Sequence, residues 1–223
     1  LVSATADNII NIAERASGFD VVAQSNEATG TLYVVDVTTN PTSDYSNIGT
    51  HGFVNSTVSA ANTDINIAVD SNNENIITGS TYKVYAIDAA GNLSDASTDS
   101  FTTDLVAPTI TSVTSTTSDG TYKIGDEINF TLNLSEAAIF TANGGSISIP
   151  MALDQGTGNA TRTTDQSSST TLSLTYTVAN GQAAADLTHG SGFATLIGGA
   201  TWTDAAGNPV VLTLPDANTF KSA

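Results

Sequence analysis

Residues 127–134 have the sequence Glu-Ile-Asn-Phe-Thr-Leu-Asn-Leu, in which polar and apolar side chains alternate without interruption. A period of two places one set of side chains in a core and the other in solvent, which is typical of a β-strand. The same alternation recurs at residues 171–178, and β-branched and aromatic runs occupy residues 31–37 and 81–87. Clusters of Gly, Asn, Asp and Ser separate these runs, so the sequence predicts an all-β protein built from antiparallel β-sandwiches. Residues 180–187 are the one candidate helix, and they are too few to define the fold.

Composition excludes several classes of function. The chain has 223 residues, 22 of them acidic and only 5 basic, and its formal net charge is −17. Nucleic-acid binding and attraction to anionic lipid both need clustered Lys and Arg, so neither is expected. The absence of Cys excludes disulfides, thiolate nucleophiles and Cys-ligated metals. No apolar run approaches the roughly 20 residues of a membrane helix, so membrane insertion is not expected. The start Leu1-Val2-Ser3 is unlike a signal peptide, which predicts a mature or excised fragment.

An internal repeat indicates two domains. The pentapeptide Asp-Ala-Ala-Gly-Asn occurs at residues 88–92 and again at residues 204–208, 116 positions later. A Glu precedes each copy at a similar interval, Glu27 by 61 residues and Glu136 by 68 residues. Two features therefore recur in the same order along the chain.

The boundary between the two domains is predicted within residues 103–109. Pro108 cannot donate a ladder hydrogen bond, and it biases the preceding residue toward an extended conformation. These properties suit a short, taut linker. The predicted domains are residues 1–104 and residues 105–223, each a β-sandwich.

Several of these motifs resemble those of bacterial immunoglobulin-like repeats, which form the stalks of giant secreted adhesins of the repeats-in-toxin and biofilm-associated types. They are the repeated pentapeptide, the Asp-x-x-Ala-Pro-Thr linker at residues 104–109 and the stretch at residues 79–88, which leads into the first copy of the pentapeptide. Residues 117–126 and the Leu-Thr-Leu-Pro ending at residues 212–215 also resemble a recurrent repeat of those proteins. The resemblance implies two tandem immunoglobulin-like β-sandwiches, calcium at domain ends, neighbouring repeats of the same polypeptide as partners, an extracellular place on the bacterial surface and no catalysis.

The repeated pentapeptide carries groups suited to calcium. Calcium takes six to eight oxygen ligands from carboxylates, amides, main-chain carbonyls and water. Asp88 with Asn92, and Asp204 with Asn208, offer such oxygens, and the intervening Gly permits a positive φ. A plain hairpin turn uses the same residue types. Because each copy is paired with an upstream Glu, calcium binding is the favoured interpretation.

The assumed topology brings distant carboxylates together. If residues 127–134 are strand B and residues 194–203 are strand F, then Glu136 and Asp204 lie in the B–C and F–G loops. In an immunoglobulin-like sandwich these loops share one end with the N-terminus, which here carries Asp104. The sequence therefore predicts a calcium site made by Asp104, Glu136 and Asp204. By the same argument, Glu27 and Asp88 are predicted to meet at the outer end of the first domain.

Catalysis has little support in the sequence. His51 and His189 lack the spacing of a metal-binding His pair. Asp186, His189 and Ser191 lie close together, but no Gly-x-Ser-x-Gly elbow frames Ser191 and triads are assembled from distant segments. Trp202 could form a sugar platform, although a lone Trp is more often part of a core. The chain is therefore expected not to be an enzyme.

The predicted function is a non-catalytic, calcium-stabilised spacer segment of a large secreted bacterial surface adhesin. One alternative is a glycan- or protein-binding module that uses loops within residues 38–75 or 140–170. A second alternative is a subunit of a surface layer or filament. A third is an accessory domain of a secreted polysaccharide-degrading enzyme.

Overall fold

The computed structural model describes residues 7–39, 48, 52–216 and 221–222. Strands dominate these residues, so the prediction of an all-β fold is confirmed. The chain divides into two compact units, residues 1–106 and residues 107–223. That each unit is an immunoglobulin-like sandwich stays a prediction. No helix among the described residues is long and apolar enough to cross a bilayer.

The described part of the first unit contains seven strands and one short helix. These are β1 (Ile9–Ile10), α1 (Ile12–Ser17), β2 (Phe19–Ala23), β3 (Thr31–Asp36), β4 (Gly52–Thr57), β5 (Ile65–Val69), β6 (Thr81–Ile87) and β7 (Phe101–Thr103). Five strands form one sheet in the order β1-β7-β6-β3-β4, while β2 and β5 form a separate antiparallel pair. β1 and β7 run parallel, and the other neighbours in the larger sheet run antiparallel.

The two sheets of the first unit share one hydrophobic core. Val21 and Ile67 from the strand pair are fully buried together with Val34 and Tyr82 from the larger sheet. The ring of Tyr82 stacks on that of Phe101, with 4.9 Å between the ring centroids. Alternate residues along each strand thus bury their side chains in this core, as the period of two requires.

The helix α1 was not predicted from the sequence. It begins after Asn11, whose side chain accepts a hydrogen bond from the Glu14 N–H at 3.0 Å, while the Glu14 carboxylate accepts one from the Asn11 N–H at 3.0 Å. This reciprocal pair is a capping box, which satisfies main-chain donors that a helix leaves free at its start. Gly18, with φ of +79°, ends the helix.

The second unit contains nine strands among its described residues. These are β8 (Ile110–Ser115), β9 (Glu127–Thr141), β10 (Ser146–Ala152), β11 (Asn159–Arg162), β12 (Gln166–Thr177), β13 (Thr188–His189), β14 (Thr195–Ile197), β15 (Thr201–Thr203) and β16 (Lys221–Ser222). Seven of them are hydrogen-bonded side by side in the order β13-β10-β11-β12-β9-β8-β16. β14 also pairs with β10, and β15 also pairs with β9. Inward-facing side chains from β9, β10, β12 and β15 form its core, in which Trp202 is the largest buried residue.

The predicted strands are present, although several bounds differ. The strand predicted at residues 81–87 matches β6, and the one at residues 31–37 matches β3 except for its last residue. The strands predicted at residues 127–134 and 171–178 are longer, because β9 continues to Thr141 and β12 starts at Gln166.

Two predictions about the second unit are wrong. Residues 180–187 do not form a helix; Ala183 instead makes an isolated antiparallel bridge with Gln155. Residues 194–203 do not form one strand, since Gly198 and Gly199, with φ of +67° and +85°, interrupt them between β14 and β15. A positive φ is incompatible with extended strand geometry, so the pair of glycines starts a new strand.

Candidate metal centre

The two repeated pentapeptides form loops with the same hydrogen bonds. In the first loop, Asp88 Oδ1 accepts a hydrogen bond from the Asn92 N–H at 2.7 Å, and Asp88 Oδ2 accepts one from Asn92 Nδ2 at 2.7 Å. In the second loop, Asp204 Oδ1 accepts from the Asn208 N–H at 2.8 Å, and Oδ2 accepts from Asn208 Nδ2 at 3.0 Å. In each loop the amide of Asn thus orients the carboxylate of Asp, an arrangement called here the Asp–Asn clamp.

The glycine in each clamp permits the turn. Gly91 has φ of +87° and Gly207 has φ of +88°, values that residues with a Cβ rarely adopt. No other heavy atom lies within 4 Å of a Cβ built at Gly91, so the backbone conformation rather than space requires Gly there. The equal φ values indicate that the repeated sequence specifies one loop conformation.

The two clamps differ in their exposure. Asp204 is 5% exposed and Asn208 is 1% exposed, whereas Asp88 is half-buried and Asn92 is exposed. The buried clamp therefore holds a charged carboxylate largely away from water, which is costly unless that charge is compensated.

Glu136 lies on a bulge of β9 and not in a loop between strands, so its predicted position is wrong. Asn133 pairs with Thr171, and Ala138 pairs with Ser169. Between these two pairs β9 spans five residue steps, whereas its partner β12 spans only two. The extra residues of β9 leave the regular ladder, as in a bulge, and bulges occur often beside functional sites. The bulge is tied to residue 109, because the Thr109 N–H donates to Ser135 Oγ at 2.9 Å.

The structure brings Glu136 and Asp204 together inside the second unit. β15 pairs with β9 so that Thr203 lies opposite Ile139, which places the following Asp204 beside the bulge. One carboxylate oxygen of Glu136 and one of Asp204 lie within 4.8 Å of each other. Glu136 Oε1 is buried. Two carboxylates from distant segments are thus held close together at one end of the second unit.

The remaining predicted site residues belong to the first unit. Asp104 follows β7; its N–H donates to the Ile10 carbonyl at 3.0 Å, and its Oδ1 accepts a hydrogen bond from the Val106 N–H at 3.2 Å. Glu27 is exposed in the loop between β2 and β3. Since Thr31 pairs with Ile87, this loop and Asp88 lie at the same end of the sheet. Within the part of the chain that the structure describes, neither Glu27 nor Asp88 belongs to a group of three acidic side chains close enough to share an ion.

The carboxylate oxygens of Glu136 and Asp204 are suitable ligands for a hard divalent cation. Oxygen ligands and carboxylates suit calcium, and a carboxylate keeps lone pairs for an ion after it has accepted two hydrogen bonds. The hydrogen bonds of Arg15, Lys83 and Arg162 go to main-chain carbonyls and not to these carboxylates. A calcium ion bound by Glu136 and Asp204 would supply positive charge there.

Residues considered for catalysis are placed in other surroundings. His189 is 0% exposed in β13, and its Nδ1 lies 2.9 Å from the Gly190 carbonyl oxygen. His51 lies outside the described residues. Trp202 is 2% exposed in the core of the second unit, so it does not form a surface platform for sugars.

Asp36 is a second buried carboxylate, and it was not among the residues predicted from the sequence. It is 5% exposed at the end of β3 and accepts four hydrogen bonds. Its Oδ1 accepts from the N–H groups of Thr38 and Thr39 at 2.8 and 3.2 Å, and its Oδ2 accepts from the hydroxyls of Thr39 and Ser80 at 2.8 and 3.0 Å. An Asp at the end of a strand often accepts a hydrogen bond from the N–H two residues on, so the sequence Asp-Val-Thr-Thr at residues 36–39 could have identified it as a turn. The surrounding donors satisfy this charge without a metal.

The clamp affects the protonation of Asp88. The side-chain hydrogen bond from Asn92, and next the main-chain one, hold the pKa of the Asp88 carboxyl below its usual 3.8. We expect that Asn92→Ala raises this pKa, because the side-chain hydrogen bond that favours the charged carboxylate is lost while the main-chain one remains. The depressed pKa stabilises the fold above pH 3.8, and this stabilisation is lost as the pH falls through the folded-state pKa.

A carboxyl NMR titration in chelator measures the Asp88 pKa directly. Asn26→Ala, at an exposed position in the same unit, is the control and should leave the value unchanged. An Asp88 pKa that is the same in Asn92→Ala and in the parent would contradict the role given to the clamp.

No family model matches the chain, and no curated protein matches it. Among solved structures, one similar chain is a Ca2+-stabilized adhesin that helps an Antarctic bacterium reach out and bind ice. It is 20% identical, the alignment covers 99% of this chain and 48% of that chain, and the TM-score is 0.39. Another comes from a structure concerned with the host cell surface retention of a 1.5-MDa bacterial ice-binding adhesin; it is 18% identical, the alignment covers 99% of this chain and 63% of that chain, and the TM-score is 0.43.

Both similar structures are bacterial adhesins, the class of protein whose repeats the motifs of this chain resemble. The present chain spans less than two thirds of either one. At these identities and TM-scores the likeness does not establish a shared fold.

Proposed function

We propose that this chain is a non-catalytic, calcium-stabilised spacer segment of a large secreted bacterial surface adhesin. Its two domains, predicted from the sequence at residues 1–104 and 105–223, are proposed to be tandem immunoglobulin-like sandwiches that adjoin further repeats of the same polypeptide. The observation that carries the proposal is the pairing of Glu136 with Asp204, whose carboxylate oxygens lie within 4.8 Å of each other. The resemblance of the repeated motifs to adhesin repeats supports the same function.

The paired carboxylates repel each other unless a cation is bound. Two unit charges about 4.8 Å apart cost about 3–4 kcal/mol at an effective dielectric constant near 20. A calcium ion between Glu136 and Asp204 replaces this repulsion by attraction to both groups. The Asp–Asn clamp holds Asp204 in place before the ion arrives, which reduces the entropic cost of binding.

Asp104 is proposed as the third carboxylate of this site. It precedes Thr109 by five residues, which span at most about 17 Å of extended chain. Thr109 is hydrogen-bonded to Ser135, the residue before Glu136. The short linker would allow Asp104 to reach the ion, and binding there would stiffen the linker. Asn208 orients Asp204, and its amide oxygen is proposed as a further ligand.

The first unit is proposed to repeat the arrangement at its outer end. In sequence order, Glu27, Asp88 and Asn92 correspond to Glu136, Asp204 and Asn208 of the second unit. The exposed clamp of Asp88 and Asn92 leaves room for a carboxylate from the linker of a preceding repeat. Such a site would be completed by the neighbouring repeat.

Calcium titration calorimetry on three single variants tests the proposal. We expect that Glu136→Gln and Asp204→Asn each weaken one calcium site at least tenfold, and that Asp104→Asn weakens the same site. Asp95→Asn, an exposed acid in the first unit, is the matched control for the loss of one charge. Equal affinities in all four variants and the parent would contradict the proposed site.

Small-angle scattering of the same proteins tests the mechanical role. A rigid spacer should give one elongated profile in calcium, and chelator or Asp204→Asn should broaden the distribution of interdomain distances. If neither changes the profile, calcium does not rigidify the chain, and the spacer mechanism fails.

A further inference from the structure

A cleft opens at the end of the second unit away from Glu136 and Asp204. Its volume is about 970 Å³, which is at the upper end of the range for small-molecule sites. Phe130 lines the cleft, and Glu136 lies six residues further along the same strand. At about 3.3 Å per residue, the two residues are at most about 20 Å apart along the strand, so the two sites are distinct.

The cleft has an apolar floor and a polar rim. Its floor is formed by core side chains of the sheet, among them Phe130, Tyr176 and Val178. Two loops form the rim, residues 117–122 on one side and residues 182–188 on the other. Most of the lining is therefore polar, which favours a polar ligand that can use the hydroxyl, amide and carboxylate groups of the rim.

Hydrogen bonds hold the loop of residues 182–188 in place. Gln182 Oε1 accepts a hydrogen bond from the Tyr176 hydroxyl at 2.7 Å, and Asp154 Oδ2 accepts one from the Ala185 N–H at 2.7 Å. Both bonds join the loop to strands or turns of the same unit. The wall of the cleft is therefore preformed, so ligand binding would not include the entropic cost of ordering this loop.

The opposite loop presents an aromatic ring. Tyr122 is half-buried, and its hydroxyl donates a hydrogen bond to the Ser118 carbonyl. This bond restrains the ring, and Tyr122 is among the residues that line the cleft. The charged side chains that line the cleft are Asp119 and Asp186, both exposed and one on each loop.

We propose that this cleft binds a neutral saccharide. The face of the Tyr122 ring, with its partial negative charge, suits the C–H face of a sugar ring. The carboxylates of Asp119 and Asp186 accept hydrogen bonds from sugar hydroxyls, and charge-assisted bonds are the stronger kind. The same two charges disfavour anionic ligands. The inference is independent of calcium binding and adds a ligand site to the spacer.

Heteronuclear NMR of the calcium-saturated full chain tests the site with maltohexaose, cellohexaose and N-acetylchitohexaose as probes. We expect at least one of the three to shift the amide signals of both loops in a saturable way. Tyr122→Ala should weaken binding at least tenfold, whereas Tyr122→Phe should bind within about threefold of the parent, because the hydroxyl is already used by Ser118.

Substitutions at two exposed residues test the site even if Tyr122→Ala fails to fold. Asp119→Asn and Asp186→Asn should each weaken binding severalfold without changing the melting temperature, and Asp95→Asn in the first unit should have no effect. Absence of a shift with all three saccharides at millimolar concentration would overturn the proposal. Saturable binding of hexalysine at the same loops, with no saccharide binding, would overturn it in favour of a cationic ligand.

Discussion

Trp202→Ala is expected to lower the free energy of unfolding of the second unit by about 3–5 kcal/mol, the usual cost of truncating a buried Trp. Trp202 is 2% exposed and packs among the side chains of the second-unit core. A typical domain has only about 5–15 kcal/mol of stability, so this loss removes a large part of it. Because β15 also carries Asp204 toward Glu136, the variant should bind calcium more weakly as well.

Denaturant unfolding followed by circular dichroism measures the loss. Phe193→Ala is the matched control, since Phe193 is 66% exposed in the same unit and its truncation should change stability by less than about 0.5 kcal/mol. If Trp202→Ala and Phe193→Ala unfold at the same denaturant concentration, Trp202 does not contribute to the core as described.

Removal of calcium is expected to have the second largest effect. An ion that binds only the folded state stabilises it by RT ln(1 + [Ca]/Kd), about 2.7 kcal/mol when calcium exceeds Kd a hundredfold. For a unit of this size, that energy corresponds to a fall in melting temperature on the order of 10 °C when a chelator is added. The reason is that the repulsion between Glu136 and Asp204 returns once the ion is gone.

Calorimetric melts in chelator and in millimolar calcium provide the measurement, with magnesium as the comparison ion. Asp204→Ala should melt at nearly the same temperature in both conditions, apart from any shift due to a site in the first unit. An unchanged midpoint for the parent would remove the calcium hypothesis, and it would leave the saccharide proposal unaffected.

Local sequence pattern was sufficient to predict the strands. In β6 and β9 every second side chain is apolar over most of the strand, and this period depends only on near neighbours. The Asp–Asn clamps were also predictable as turns, because Asp, Gly and Asn at that spacing favour one loop conformation. The repeat of the pentapeptide then indicated that both loops are alike.

The position of Glu136 could not be predicted in this way. Its bulge arises from the register between β9 and β12, in which Ser169 lies opposite Ala138 and Thr171 opposite Asn133. That register is set by contacts between residues more than 30 positions apart in the chain, which no local pattern contains. The expected loop was therefore wrong, while the expected proximity to Asp204 agrees with the structure.

The helix α1 and the turn at Asp36 were missed for a different reason. Both depend on side-chain hydrogen bonds to the main chain, Asn11 with Glu14 in one case and Asp36 with Thr38 and Thr39 in the other. Signals of this kind consist of two or three residues and occur often by chance in a chain rich in Asn, Asp and Thr. Only the surrounding structure distinguishes those that form.

The Asp–Asn clamp of the second unit also bears on chemical ageing. Asn deamidates when the main-chain N–H of the next residue attacks its side-chain amide, and the product Asp would place an oxygen where Asn208 Nδ2 now donates to Asp204. The residue after Asn208 is Pro209, which has no N–H to attack with. The buried clamp is thus protected from the slow reaction that would turn its hydrogen-bond donor into a second carboxylate that repels Asp204.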